Sequence, residues 1–343
     1  MTGPLDPIWP VLVLVAGCGI ISYVANGLLM PLYRRYALAR PNARSSHKVP
    51  TPQGGGVGLM IGMAIGLLPC AALWPESQLG NLGFAALGLG ALGLACSGAL
   101  DDIFELPVAP RILVQAAAAA LAAFATIPAG TALMTWPLAL ITTPVCLLAM
   151  IWFVNLTNFM DGIDGITIAE FVPMGCALII TAGIGFMPHG DGLIAGALTG
   201  ALLGFAPYNK HIARLFLGDV GSLPIGLVAG ALLMALAFAG QPVAALTLPL
   251  YYLADATITL LRRLARGDNV TKAHRTHFYQ RATDHGWTVP AITRVLWLVN
   301  GALAALALAS LEITSAGGRL LVGLAALDLV ARTLSAFSRA PTP

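Results

Sequence analysis

Apolar runs of about 20 residues, long enough to cross a bilayer as helices, alternate along this chain with short segments that hold nearly all of its polar residues. Eleven such spans are expected: Ile8–Leu32, Gly54–Trp74, Leu79–Leu100, Ile112–Ile127, Leu133–Val154, Ile166–Met187, Leu193–Pro207, Leu223–Ala239, Val243–Leu261, Val289–Leu311 and Leu320–Ala336. Two stand apart. Leu193–Pro207 is short, and Ile112–Ile127 is so rich in alanine that it reads as a buried helix as readily as a lipid-facing one. Glycine recurs at four-residue spacing at Gly196, Gly200 and Gly204 and again at Gly226 and Gly230, which suits close approach of membrane helices. The first run lacks a basic leader segment and is long enough to span, so it reads as a helix and not as a cleaved signal.

If the spans alternate in direction, all but one (Arg319) of the 18 Lys and Arg residues fall on the same side, which the positive-inside rule makes cytoplasmic. The N-terminus is then outside and the C-terminus inside. Composition agrees: 58% of residues are hydrophobic and 10% charged, against roughly a quarter charged in soluble domains. The expected fold is all-α, a polytopic membrane protein of about 10–11 transmembrane helices. Residues 1–343 make one integral membrane domain, with a long cytoplasmic loop at residues 262–290. A net charge of +3 is too small to argue for nucleic acid. Cys18, Cys70, Cys96, Cys146 and Cys176 all lie in apolar runs without ligand-spaced partners, so they read as small buried hydrophobes.

The polar segments on the cytoplasmic side carry the candidate chemistry. Asn155-Leu-Thr-Asn-Phe-Met-Asp-Gly-Ile-Asp-Gly165 joins two spans, and ionisable groups beside hydrocarbon are destabilising unless they are partnered or used. A polar inter-helix turn is the plain alternative. His47-Lys48-Val-Pro-Thr-Pro-Gln-Gly-Gly-Gly56 offers a basic residue and a glycine run entering a helix, where backbone N–H groups can meet an anion. Asp101-Asp102 closes a span with adjacent carboxylates, which repel unless a cation such as Mg²⁺ lies near; a pair at a helix end that simply faces water is the plain alternative. Asp219, in Phe216-Leu-Gly-Asp-Val-Gly-Ser222, opens another span, either as a metal ligand beside phosphate or as a plain N-cap. His274-Arg-Thr-His-Phe-Tyr-Gln-Arg281, with Asp255 upstream, has no acids to complete a zinc shell, so anion or sugar contact fits better. A basic loop attracted to anionic lipid is the plain alternative there.

Taken in order, His47-Lys48-x-Pro-Thr-Pro-x-Gly-Gly, Asp101-Asp102, Asn155-x-x-Asn158-x-x-Asp161-Gly-Ile-Asp164-Gly, Phe216-x-Gly-Asp219-x-Gly-Ser222 and His274-x-x-His277-x-Tyr-Gln-Arg281 resemble the motifs of the polyprenyl-phosphate N-acetylhexosamine-1-phosphate transferases, glycosyltransferase family 4. The last resembles the branch that initiates O-antigen and related surface polysaccharides, and departs from the His-rich run of the muramoyl-pentapeptide branch.

The resemblance implies a phosphoglycosyltransferase of the bacterial inner membrane. Undecaprenyl phosphate would attack a UDP-N-acetylhexosamine, releasing UMP, with Mg²⁺ (Mn²⁺ as substitute) as cofactor. It implies Asn158 and Asp219 as metal ligands with Asp102 beside the ion, and Asp101 at the acceptor phosphate. Lys48, Asp161, Asp164, Asn209 and Phe216 would form the nucleotide pocket. Arg111 would neutralise phosphate, and His274, Arg275, His277 and Arg281 would meet the sugar and diphosphate. A covalent route through Asp101 or Asp219 stays open, and a homodimer is among the assemblies allowed. A transporter or flippase of lipid-linked sugar is the alternative, distinguished by polar groups near the bilayer midplane at broken helices.

Overall fold

The computed structural model describes residues 8–39, 50–73, 80–104, 106–126, 136–270 and 274–341. His47, Lys48 and Glu105 lie outside the described residues. The chain forms α1 (Ile8–Tyr36), β1 (Leu38–Ala39), β2 (Thr51–Pro52), α2 (Gly55–Leu73), α3 (Gly80–Phe104), α4 (Val108–Thr126), α5 (Trp136–Met160), α6 (Ile166–Gly183) and α7 (His189–Asn209). It continues through α8 (Asp219–Phe238), α9 (Pro242–Thr247), α10 (Leu250–Ala265), α11 (Phe278–Asp284), α12 (Val289–Glu312) and α13 (Ala316–Phe337).

Among the described residues each expected span is largely helical, but the ninth is not one helix. Among the described residues nine helices are long and apolar enough to cross a membrane, and α2 adds a shorter apolar stretch, Gly55–Leu68. Val243–Leu261 is split into α9 and α10, with Pro249 at the N-cap of α10. Proline has no N–H to donate and its ring crowds the preceding turn, which disfavours one continuous helix there. The short expectation Leu193–Pro207 becomes the 21-residue α7. The Ala-rich α4 buries only one face (Ala118, Ala119, Ala122, Ala123) and leaves Ile112, Leu113 and Phe124 exposed, so it lies at the periphery of the bundle.

Helix α8 is the central post. Its membrane window is 89% buried, against 28% for α13, and α2, α3, α4 and α5 pack around it. The glycine stripes do what their spacing implies. On α8, added Cβ atoms at Gly226 and Gly230 would press on Thr157 and Phe153 of α5, while Gly200 and Gly204 on α7 abut Val15 and Gly19 of α1. Backbone contact of this kind lets dispersion replace the hydrophobic effect that lipid does not provide.

Near the start of α8, Gly98 of α3 lies against the Asp219 backbone, and Gly221 meets Gly56 of α2. The ends of α3 and α5 and the starts of α2, α4 and α8 therefore meet at one end of the bundle.

Candidate active site

The first consequence of that convergence concerns the free N–H groups that open α8. Its N-cap is Gly218, at φ 77, and no side chain of its own turn caps it. Asp102, from the end of α3, does so instead: Oδ1 accepts from Asp219 N at 3.2 Å and Oδ2 from Val220 N at 3.3 Å. Gly218 is required here, because a Cβ would sit 2.5 Å from Asp102 Oδ2 and the left-handed φ disfavours any side chain. Asp102 thus fixes the helix end from which Asp219 projects. Gln53 Nε2 in turn donates to the Asp102 carbonyl at 3.0 Å.

Asp219 is the hub of the cluster. Asn158 Nδ2 donates to its Oδ1 at 2.7 Å and to Ser222 Oγ at 3.0 Å. Arg111, in the first turn of α4, bridges Asp101 at 2.8 Å and Asp219 at 3.4 Å, while Leu106 N donates to the other Asp101 oxygen at 2.7 Å. One turn deeper, Asn155 donates to Gln115 Oε1 at 2.9 Å. Asp101, Asp102, Asn158 and Asp219, expected to work together from residues more than a hundred apart, are in direct or shared contact.

The chemistry of this donor set suits a hard divalent ion. Two carboxylates, Asp101 and Asp219, share one guanidinium, and Mg²⁺ characteristically takes one or two carboxylates and completes its shell with water and phosphate oxygens. Asp219 and Asn158 are the adjacent pair able to hold it. Among the described residues no three His, Cys, Asp or Glu side chains form a closed metal cage. Asp102 has both carboxylate oxygens on backbone N–H groups, so it serves the ligands from behind.

The expected nucleotide-side residues divide into two groups. Asn209 is buried, with Oδ1 accepting from Gly165 N at 2.7 Å and Nδ2 donating to Leu215 O at 3.1 Å. Asp164 accepts from His211 Nδ1 at 2.7 Å and Ala213 N at 3.1 Å. Both tie the Asp161–Gly165 turn to the loop before α8, so their polar atoms are engaged in building the site's wall. Asp161 is half-buried, and burial pushes its carboxyl up to about 6; the Thr167 hydroxyl opposes this, and the charges of Asp219 and Asp164 reinforce it.

Phe216, also half-buried, stands in the segment that pairs with the Pro-Thr-Pro-Gln-Gly loop. There the sequence reading needs correction. Gly55 N and Gly56 N, expected to be free for an anion, donate to Phe216 O and Leu217 O, both at 2.9 Å. The first N–H groups of α2 are thus satisfied by the backbone that precedes α8.

The His274–Arg281 segment reaches the same end by another route. Tyr279 Oη donates to Phe159 O at 3.1 Å, and a Cβ on Gly162 would collide with the Tyr279 hydroxyl, so α11 lies directly on the Asp161 turn. His277, expected to face substrate, is buried, with Nδ1 3.1 Å from Asp255. His274 stacks on it at 4.9 Å between ring centroids. Burial, with His277 and Arg263 nearby, lowers His274 to about 4, so it is a neutral imidazole near pH 7, suited to a hydroxyl or amide more than to a phosphate.

Arg275 is pinned to Thr283 Oγ1 at 2.7 Å and to Asp284 at 3.4 Å. Arg281, in the last turn of α11, is half-buried. Two contributors were not read from the sequence. Gln115 was hidden in an alanine run, where a lone buried amide was itself the available signal, and Thr167 sits inside an apolar span where a hydroxyl reads as filler.

A polytopic helical bundle with an acid-rich, phosphate-suited cluster at one end defines a membrane-embedded group transferase, and the comparisons agree. Residues 84–237 match glycosyl transferase family 4. The decaprenyl-phosphate N-acetylglucosaminephosphotransferase of Mycobacterium leprae is 28% identical, over 83% of this chain and 80% of its own length. A probable undecaprenyl-phosphate N-acetylglucosaminyl 1-phosphate transferase of Bacillus subtilis is 23% identical, over 82% and 80%. The phospho-N-acetylmuramoyl-pentapeptide-transferase of Solibacter usitatus is 28% identical, over 80% and 84%. The resemblance to glycosyl transferase family 4 carried by the motifs therefore holds over residues 84–237, and the chain is a phosphoglycosyltransferase.

Proposed function

We propose that the chain transfers N-acetylhexosamine 1-phosphate from a UDP-N-acetylhexosamine to undecaprenyl phosphate, releasing UMP and starting a cell-surface polysaccharide of the O-antigen type. The bilayer is the bacterial inner membrane and the cluster faces the cytoplasm, where nucleotide sugars are made. The observation that carries this reading is the meeting of Asp101, Asp219 and Asn158 around Arg111 at one end of the bundle. Groups gathered at a membrane face suit a lipid headgroup and a soluble nucleotide, whereas a transporter collects them near the midplane.

In the reaction an oxygen of the lipid phosphate attacks the β-phosphorus of the donor. The new P–O bond forms as the α,β bridge breaks, and the bridging electron pair leaves with UMP. The attacking phosphate is already largely ionised near neutral pH, so the barrier is charge repulsion more than proton removal. Mg²⁺, or Mn²⁺, held by Asp219 and Asn158 would supply the neutralisation of diphosphate charge. Arg111 holds the two acids apart and is placed to receive phosphate charge as substrates enter. Asp101 stands beside the acceptor, and the Asp161 turn and Phe216 bound the nucleotide side.

Direct displacement is favoured over a covalent intermediate, because Asp101 and Asp219 are both hydrogen-bonded and ion-paired, which weakens a carboxylate as a nucleophile. Purified full-length chain offered undecaprenyl phosphate and a panel of UDP-sugars, scored by UMP release and by the mass of the lipid product, tests the proposal. Absence of any sugar phosphate on the lipid would refute it. Exchange of labelled UMP into the donor without lipid acceptor would establish the covalent route instead.

A further inference from the structure

Among the buried acids, Asp255 on α10 has no part in the chemistry above, yet it is the most heavily engaged carboxylate in the described structure. It is 0% exposed. Its Oδ1 accepts from Phe278 N at 3.0 Å and Thr259 Oγ1 at 3.3 Å and lies 3.1 Å from His277 Nδ1. Its Oδ2 accepts from Tyr251 Oη at 3.1 Å and Tyr279 N at 3.2 Å. Three of these five partners, His277, Phe278 and Tyr279, are consecutive residues at the start of α11. The residues just before it are otherwise held to their own segment: His274 is bonded to Thr276 and stacks on His277, and Arg275 reaches Thr283 and Asp284 of α11 itself.

We propose that Asp255 is the positioning residue of the sugar-side wall: one buried carboxylate caps the start of α11, fixes the His277 ring, and so presents His274 and Arg281 to the donor. The inference rests on the reaction assigned above for its substrate, and on geometry alone for the role of Asp255. Accepting at both oxygens explains why the residue is Asp. The Oδ2 pair and the Oδ1 trio are all donors, and an Asn would turn an N–H₂ group onto one set of them. The ring of His277 is held with its Nδ1 as the donor to the carboxylate, as an outer carboxylate orients a histidine in metal and catalytic sites. His274 lies against the face of that fixed ring, so its position depends on Asp255 through one stacking contact.

The test uses purified full-length protein and two independent readouts. In Asp255→Asn, amide hydrogen exchange over residues 274–284 is expected to quicken about 10-fold or more, with the long helices unchanged. The KM for the UDP-sugar is expected to rise about 10-fold, with the KM for undecaprenyl phosphate within about 2-fold of the parent. Should Asp255→Asn fail to fold, Tyr251→Phe removes one donor from the same carboxylate, and a smaller rise, about 3-fold, confined to the donor KM is expected.

Unchanged exchange in residues 274–284, or equal losses toward both substrates, would overturn the proposal. A parent protein with no transferase activity would overturn the reaction assignment instead, and the exchange measurement would still decide the role of Asp255.

Discussion

The two halves of the site are built on different principles. The acid half is made of the ends of long membrane helices, fixed by glycine contacts along α8, and its parts reinforce one another: Asp102 caps the helix that carries Asp219, and Arg111 joins Asp219 to Asp101. The proposed sugar-side half is a loop and a seven-residue helix, α11, whose start is fastened by the buried Asp255 and by the Tyr279 bond to the Phe159 carbonyl. Rigid helix ends suit a step in which charges must be placed closely. On the proposed reaction, a separately fastened segment would let the recognised sugar change without disturbing the phosphate chemistry, and the difference predicts unequal responses to mutation.

The largest effect falls in the acid half. Asp219→Asn should lower UMP release by at least about 1,000-fold, some 4 kcal/mol of transition-state stabilisation, with the thermal midpoint held within about 2 °C. Near-normal release by a folded variant would break the comparison. Asp102→Ala leaves two N–H groups of α8 without acceptors, so it should destabilise by about 1–3 kcal/mol and reduce turnover by displacing Asp219. A loss of turnover without any drop in thermal midpoint would show that Asp102 acts on substrate directly.

Smaller effects belong to the sugar side. Arg281→Ala should raise the UDP-sugar KM about 10-fold, and more than Arg275→Ala, because Arg275 is already bound to Thr283 and Asp284. The reverse order would mean that Arg275 leaves those partners for substrate. The smallest effect is on pH dependence. Asp161 titrates near 6 in the fold and near 3.8 ordinarily, so the folded chain holds this proton more tightly. Its stabilising contribution is complete below about pH 4 and is lost as pH rises through about 6. In the chelated protein, Asp161→Asn should therefore flatten the fall of the thermal midpoint over that window, and an unchanged slope would show that Asp161 does not titrate there.

Much of this was legible in the sequence, because lipid imposes simple rules. Apolar length gave the spans, and glycine spacing marked the helix contacts at Gly200, Gly204, Gly226 and Gly230. The acid cluster was legible because carboxylates beside hydrocarbon need a reason. The break at Pro249 was written in the sequence, but it was overridden in the reading by the strength of the apolar pattern around it. What stayed hidden was the direction of hydrogen bonds. A one-dimensional reading cannot tell that Asp102 turns its oxygens to a neighbouring backbone, or that the N–H groups of Gly55 and Gly56 are already engaged. For the same reason His277 looked like a substrate contact although it faces Asp255.

The claim on which the rest depends is that Asp219 and Asn158 hold a divalent ion against the donor's diphosphate. The direct measurement is UMP release by the purified chain with undecaprenyl phosphate and its preferred UDP-N-acetylhexosamine, before and after chelation and with Mg²⁺ restored. The account predicts that release stops with the chelator and returns with Mg²⁺ in the parent protein but not in Asp219→Asn. Release that persists under full chelation would contradict it.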